Sequence, residues 1–102
     1  MLSQYVKALI PTIRNYFVSQ PIEKVWIFGS CSRGEERPDS DIDIMVRYVG
    51  KDNISILTIT RISSQLGRLL NRKVDLVEDE RILPFAKDSA DKDKILIYER
   101  KN

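Results

Sequence analysis

Histidine is absent from this chain of 102 residues, and cysteine occurs once, at Cys31. Without histidine there is no Ser-His-Asp or Cys-His chemistry, and the usual zinc ligand sets cannot be assembled. A lone thiol closes no intramolecular disulfide. Any bound metal is therefore expected to be a hard, oxygen-liganded cation. Glycine and proline, four of each, are too scarce for a low-complexity or disordered chain. No apolar run approaches a membrane span, and Met1 is not followed by the basic region and apolar core of an export signal. The default expectation is a cytoplasmic protein with no membrane contact. A dominant charge is also missing. The 17 basic and 15 acidic residues are mixed along the chain and leave a formal charge of only +2, which neither favours nor excludes a polyanionic partner.

What is present fits one globular domain over residues 1–102. Leu2, Val6, Leu9, Ile13 and Phe17 are spaced by four, three, four and four, the stripe of an amphipathic helix. Pro11 falls within it and predicts either a kinked helix or two short ones joined near Ile10. Residues 24–28, KVWIF, have the β-branched and aromatic content of a buried strand that ends at Gly29. A polar loop follows to Ser40, with one helical turn beginning at Ser30. Residues 41–48 read as a second strand, with Ile42, Ile44 and Val46 on one face and Asp41, Asp43 and Met45 on the other. After a turn at 50–53, Ile54, Leu57, Ile62, Leu66, Leu69 and Leu70 mark a second long helix ending near Asn71. Residues 73–77 form a third strand. Leu83-Pro84-Phe85 opens a helix toward Asp93, and residues 95–98 are a last strand or a helix end. The order predicts an α/β domain around a small mixed sheet flanked by helices.

Chemistry concentrates in FGSCSRGEERPDSDIDI, residues 28–44. Carboxylates at i and i+2 of a strand leave one face with Cα atoms roughly 6.6 to 6.8 Å apart. Their oxygens can then share two cations about 3.5 to 4 Å apart. Asp75, in the third strand, would complete the set and orient or deprotonate an attacking hydroxyl. Three acids without a local cation repel, and magnesium relieves that while favouring carboxylate, water and phosphate oxygens. The expected substrate is a nucleoside triphosphate attacked at its α-phosphate with release of pyrophosphate. Gly29 lets phosphate approach the backbone, Ser30 adds a hydroxyl, and Arg33 either reaches the phosphates or pairs with Glu35 or Glu36. Each feature alone has an ordinary explanation: a solvated strand face, a turn, a surface acid. Their fixed order at strand ends favours a site.

Gly29-Ser30, ten residues, Asp41-Ile42-Asp43 and then Asp75 together resemble the minimal nucleotidyltransferases (MNT proteins) of the DNA polymerase beta-like superfamily. SRGEERPDSDIDIMV is especially similar. The resemblance implies a nucleotidyltransferase fold, two magnesium ions and ATP as donor. It implies that Asp41, Asp43 and Asp75 bind metal and carry catalysis, and that Gly29, Ser30, Arg33 and Ser40 hold the nucleotide. Arg33-Gly34 matches the usual Arg-Gly of the loop. Family members often carry an arginine or an aromatic residue where this chain has Cys31. Stand-alone members without a nucleic-acid-binding domain look like antitoxins of HEPN-domain RNases that transfer AMP to a toxin tyrosine, so no direct nucleic-acid binding is expected. Two other readings stay open: silencing of the partner by occlusion alone, and transfer to a small-molecule hydroxyl.

Overall fold

The computed structural model describes residues 2–50, 55–79 and 91–101. Helix α1 (Gln4–Phe17) starts at Ser3, whose hydroxyl accepts the Val6 N–H at 3.2 Å. Its stripe buries Val6, Ile13 and Phe17 and packs Leu2 and Leu9 against the same core. Pro11 does not divide it into two helices. Both Pro11 and Lys7, whose carbonyl loses a donor there, are exposed, so that carbonyl can turn to water. Strand β1 (Ile22–Ile27) begins two residues before the expected start. The four-residue helix α2 (Ser30–Arg33) begins at Ser30, as expected, and Gly34 closes it in the left-handed region (φ +73°).

Strand β2 (Ile42–Tyr48) starts one residue later than expected, so Asp41 lies before the strand instead of within it. Helix α3 (Ile56–Leu70) is capped by Ser55, whose hydroxyl accepts from the Thr58 N–H. It ends at Asn71, left-handed at φ +53°, a conformation that asparagine tolerates. Ile62, Leu66 and Leu70 are buried, whereas Leu57 and Leu69 are exposed and do not join the inner face. Strand β3 (Val74–Glu78) and strand β4 (Ile95–Glu99) follow, which settles the last segment as a strand. Most of the expected turn at 50–53, together with Ile54 and the expected helix from Leu83, lies outside the described residues, although 91–93 are helical.

The strands form one mixed sheet in the order β3-β2-β1-β4. Neighbours β1 and β2, like β1 and β4, are antiparallel; β2 and β3 are parallel and joined through α3. Ile42, Ile44 and Val46 turn to the helices and meet Val25, Ile27, Phe17 and Leu66 in one core. Each fully buried aliphatic there contributes roughly 1.5–3 kcal/mol. Alternation sends Asp43, Met45 and Arg47 to the opposite face. Met45 and Trp26 form a smaller cluster on that face, with Arg47 and Lys94 placed 5.3 and 4.8 Å from the Trp26 ring centroid. Among the described residues, α1 and α3 pack on one face of the sheet and Asp43 lies on the other.

Candidate active site

The parallel register of β2 and β3 sets Asp43 directly beside Asp75. Adjacent strands lie about 4.8 Å apart, so two like charges share one short stretch of sheet. Asp41, two residues upstream, adds a third. Burial pushes the Asp43 carboxyl up to about 6; the Asp75 and Asp41 carboxylates push the same way, and Arg33 opposes them. Ionised Asp43 is thus short of positive charge, which is what a hard cation would supply.

Gly29 is required twice over. Its φ is +69°, which side-chain-bearing residues rarely adopt, and a Cβ there would lie 2.5 Å from Asp43 Oδ2. The backbone of the Gly-Ser turn therefore rests against the central carboxylate. From Gly29, α2 rises with the N–H groups of Ser30 and Cys31 in its first turn, where a helix leaves donors without intrahelical partners. The Ser32 hydroxyl donates to the Gly29 carbonyl at 2.7 Å and stiffens the turn. The N–H groups at the start of α2 and the Asp43 carboxylate thus stand side by side.

Among the described residues no three acidic or thiol side chains are gathered into a ready-made cation cage. Repulsion accounts for this: Asp41 reaches toward Lys73 Nζ at 3.9 Å, and Asp75 is exposed. Magnesium takes only one or two protein carboxylates beside water and phosphate, so an open set of acids next to a phosphate turn suits it. Arg33 is exposed and held by Glu35 (Nε to Oε1, 2.8 Å) and by Asp93 (Nη1 to Oδ2, 2.5 Å). The Glu35 pairing was one of its two expected roles; the Asp93 pairing was not foreseen. The Ser40 hydroxyl accepts the Arg37 N–H at 2.9 Å and so closes a turn just before Asp41.

Arg72, near Asp41, escaped the sequence reading. The Arg72 guanidinium donates to the carbonyls of Arg37, at 3.0 Å, and Ser40, and lies 5.3 Å from the Tyr5 ring centroid. Arg72 therefore pins the loop that delivers Asp41 against α1, from a position that reads locally as nothing but a helix end. Cys31 is fully buried, and its thiol donates to the Asp41 carbonyl at 3.6 Å. Burial chiefly, with the nearby Asp43 and Glu36 charges, pushes that thiol up, so it remains protonated and structural.

Residues 11–102 match the family model described as Polymerase beta, Nucleotidyltransferase. A chain of Methanocaldococcus jannaschii, MJ1217, provisionally named a protein adenylyltransferase, is 38% identical over 77 residues, which is 74% of this chain and 76% of that one. A solved structure described as a minimal nucleotidyltransferase, also a provisional name, superposes with a TM-score of 0.75 at 26% identity, covering 93% of this chain and 95% of its own. A chain in the complex of the tri-AMPylated Shewanella oneidensis HEPN toxin with its MNT antitoxin shares the fold. Its TM-score is 0.64 at 19% identity, over 94% of this chain and 71% of that one.

Proposed function

The chain belongs to the polymerase beta nucleotidyltransferase family and is a nucleotidyltransferase, and from that premise we propose that it moves AMP from ATP onto a tyrosine of a HEPN-type toxin and so acts as its antitoxin in the cytoplasm. The observation that carries this reading is the in-register pair Asp43 and Asp75 beside the Gly29 backbone. It supports a reading in which phosphate and acceptor meet within one short stretch of sheet. The protein acceptor is supported by the relatives named for protein adenylylation and by the likeness to an antitoxin bound to an AMPylated toxin.

In this reading Gly29 and Ser30 hold the triphosphate, and Arg33 leaves its carboxylate partners to join them. Asp41 and Asp43 with Asp75 would hold two magnesium ions, which when bound would neutralise charge developing on the phosphates. Asp75 faces the incoming phenol and takes its proton. The phenolic oxygen bonds to the α-phosphorus, the bond from that phosphorus to the bridging oxygen breaks, and pyrophosphate leaves. Ser40, Arg72 and Cys31 keep Asp41 in place.

The test is to incubate the chain with a HEPN protein, ATP and magnesium, and to examine the toxin by mass spectrometry while following its RNase activity. AMP on a tyrosine and loss of RNase activity are expected, both abolished by Asp41→Asn. An unmodified toxin that is silenced equally by the Asp41→Asn chain would overturn the enzymatic reading in favour of occlusion.

A further inference from the structure

A concavity beside the candidate site has Asp75 among its lining residues. A groove of about 730 Å³ runs between α3 and β3, the strand at the edge of the sheet, with Asp75 on its rim. Its helical wall sets the apolar Ile59 beside the small residues Ser64 and Gly67. A Cβ on Gly67 would meet the Arg72 carbonyl at 3.1 Å, so the end of α3 packs tightly against the turn that follows it. Elsewhere the cations Arg68, Arg72 and Lys73 line it against one acid, beside the apolar Val74 and Leu76 of β3. Arg72 is engaged by the loop carbonyls. Arg68 is exposed and has no carboxylate partner among the described residues. The Lys73 side chain is 80% exposed and, among the described residues, forms its ion pair with Asp41 at 3.9 Å.

Unspent positive charge in a groove that ends at the proton-accepting carboxylate calls for a negatively charged occupant with a hydroxyl at one end. We propose that this groove is the track for the acceptor: an extended, acidic segment of the partner protein lies along α3 and β3 and delivers its hydroxyl side chain to Asp75. The assignment rests on the reading of a protein acceptor given above. Small wall residues leave room for backbone, and Arg68 and Lys73 meet the acidic side chains. The nucleotide enters from the Gly29 side, so donor and acceptor approach Asp75 from different directions.

The experiment uses a fluorescent Glu–Tyr copolymer as an acidic acceptor mimic and a Lys–Tyr copolymer as control, with binding read by anisotropy without ATP. The wild type is expected to bind the Glu–Tyr polymer in a salt-sensitive manner and the Lys–Tyr polymer not at all. Arg68→Glu is expected to weaken binding about tenfold or more. Ser64→Trp fills the groove without altering charge and is expected to weaken it comparably. Both variants should keep wild-type binding of the magnesium complex of AMP-PNP, which shows that they are folded. Failure of the wild type to bind, equal binding of the two polymers, or wild-type affinity in both variants would overturn the groove assignment. Normal polymer binding without AMP transfer to any protein would support the groove and refute the proposed activity instead.

Discussion

Replacing Asp43 by asparagine should make the metal-free protein more stable while removing its function. The side chain sits between Asp41 and Asp75, and its carboxyl is pushed from 3.8 to about 6, first by burial and then by those two charges. That rise sets a ceiling of about 3 kcal/mol on the cost of ionised Asp43 at neutral pH. The group is only partly buried, and screening reduces the realised cost to roughly 1 kcal/mol. For a domain of this size that corresponds to about 4–8 °C in Tm. The folded protein binds the Asp43 proton more tightly than the unfolded chain does, so this contribution favours folding at low pH. It is lost as pH rises from about 4 through about 6. Asparagine cannot ionise, so the advantage of Asp43→Asn should be absent near pH 4, grow through that window and level off above it. Thermal melts by circular dichroism in a chelator, with wild type and variant side by side at several pH values, read this difference. A variant less stable than wild type at neutral pH, or a gap independent of pH, would refute the reasoning. Magnesium with AMP-PNP should raise the wild-type Tm and leave the variant unchanged.

Three other perturbations follow from the same geometry. Gly29→Ala adds a Cβ 2.5 Å from Asp43 Oδ2 at φ +69° and should cost about 1–3 kcal/mol in a denaturant melt, with AMP-PNP binding lost in calorimetry. Arg72→Ala removes the ties to Arg37 and Ser40, and should speed proteolysis within residues 34–40 and lower kcat more than it raises the KM for ATP. Asp93→Ala frees Arg33 from one of its two carboxylates. It should change Tm little, since exposed pairs contribute about 0–1 kcal/mol, while tightening triphosphate binding a few-fold by titration. An unchanged affinity would show that Arg33 does not reach the phosphates.

Much of this arrangement was legible because it is written in local periodicity. The stripe from Leu2 to Phe17 and the alternation from Ile42 to Val46 report which face is buried, and the same alternation puts Asp43 on the opposite face. Gly29-Ser30 and the acids were legible because each stands at a strand end or on a strand face. Periodicity misjudged Leu57 and Leu69, which fit a helical stripe yet face solvent: α3 needs only a narrow seam, filled by Ile62, Leu66 and Leu70. Of the two arrangements that Pro11 left open, the pair of short helices is not taken, because a solvent-facing carbonyl tolerates the missing hydrogen bond. The contacts that hold the site lie beyond local reading altogether. Arg72 with Arg37 and Ser40, Arg33 with Asp93, and Cys31 with Asp41 join residues far apart in the chain. Nothing near Arg72 distinguishes it from any other cation at a helix end.

ATP labelled at either the α- or the γ-phosphorus, offered with magnesium and a HEPN partner, puts the proposed chemistry to its most direct test. The account predicts that α-label passes to the partner, γ-label leaves as pyrophosphate, and Asp43→Asn reduces transfer at least about a thousandfold. Transfer of γ-label, or α-transfer that survives in Asp43→Asn, would contradict it.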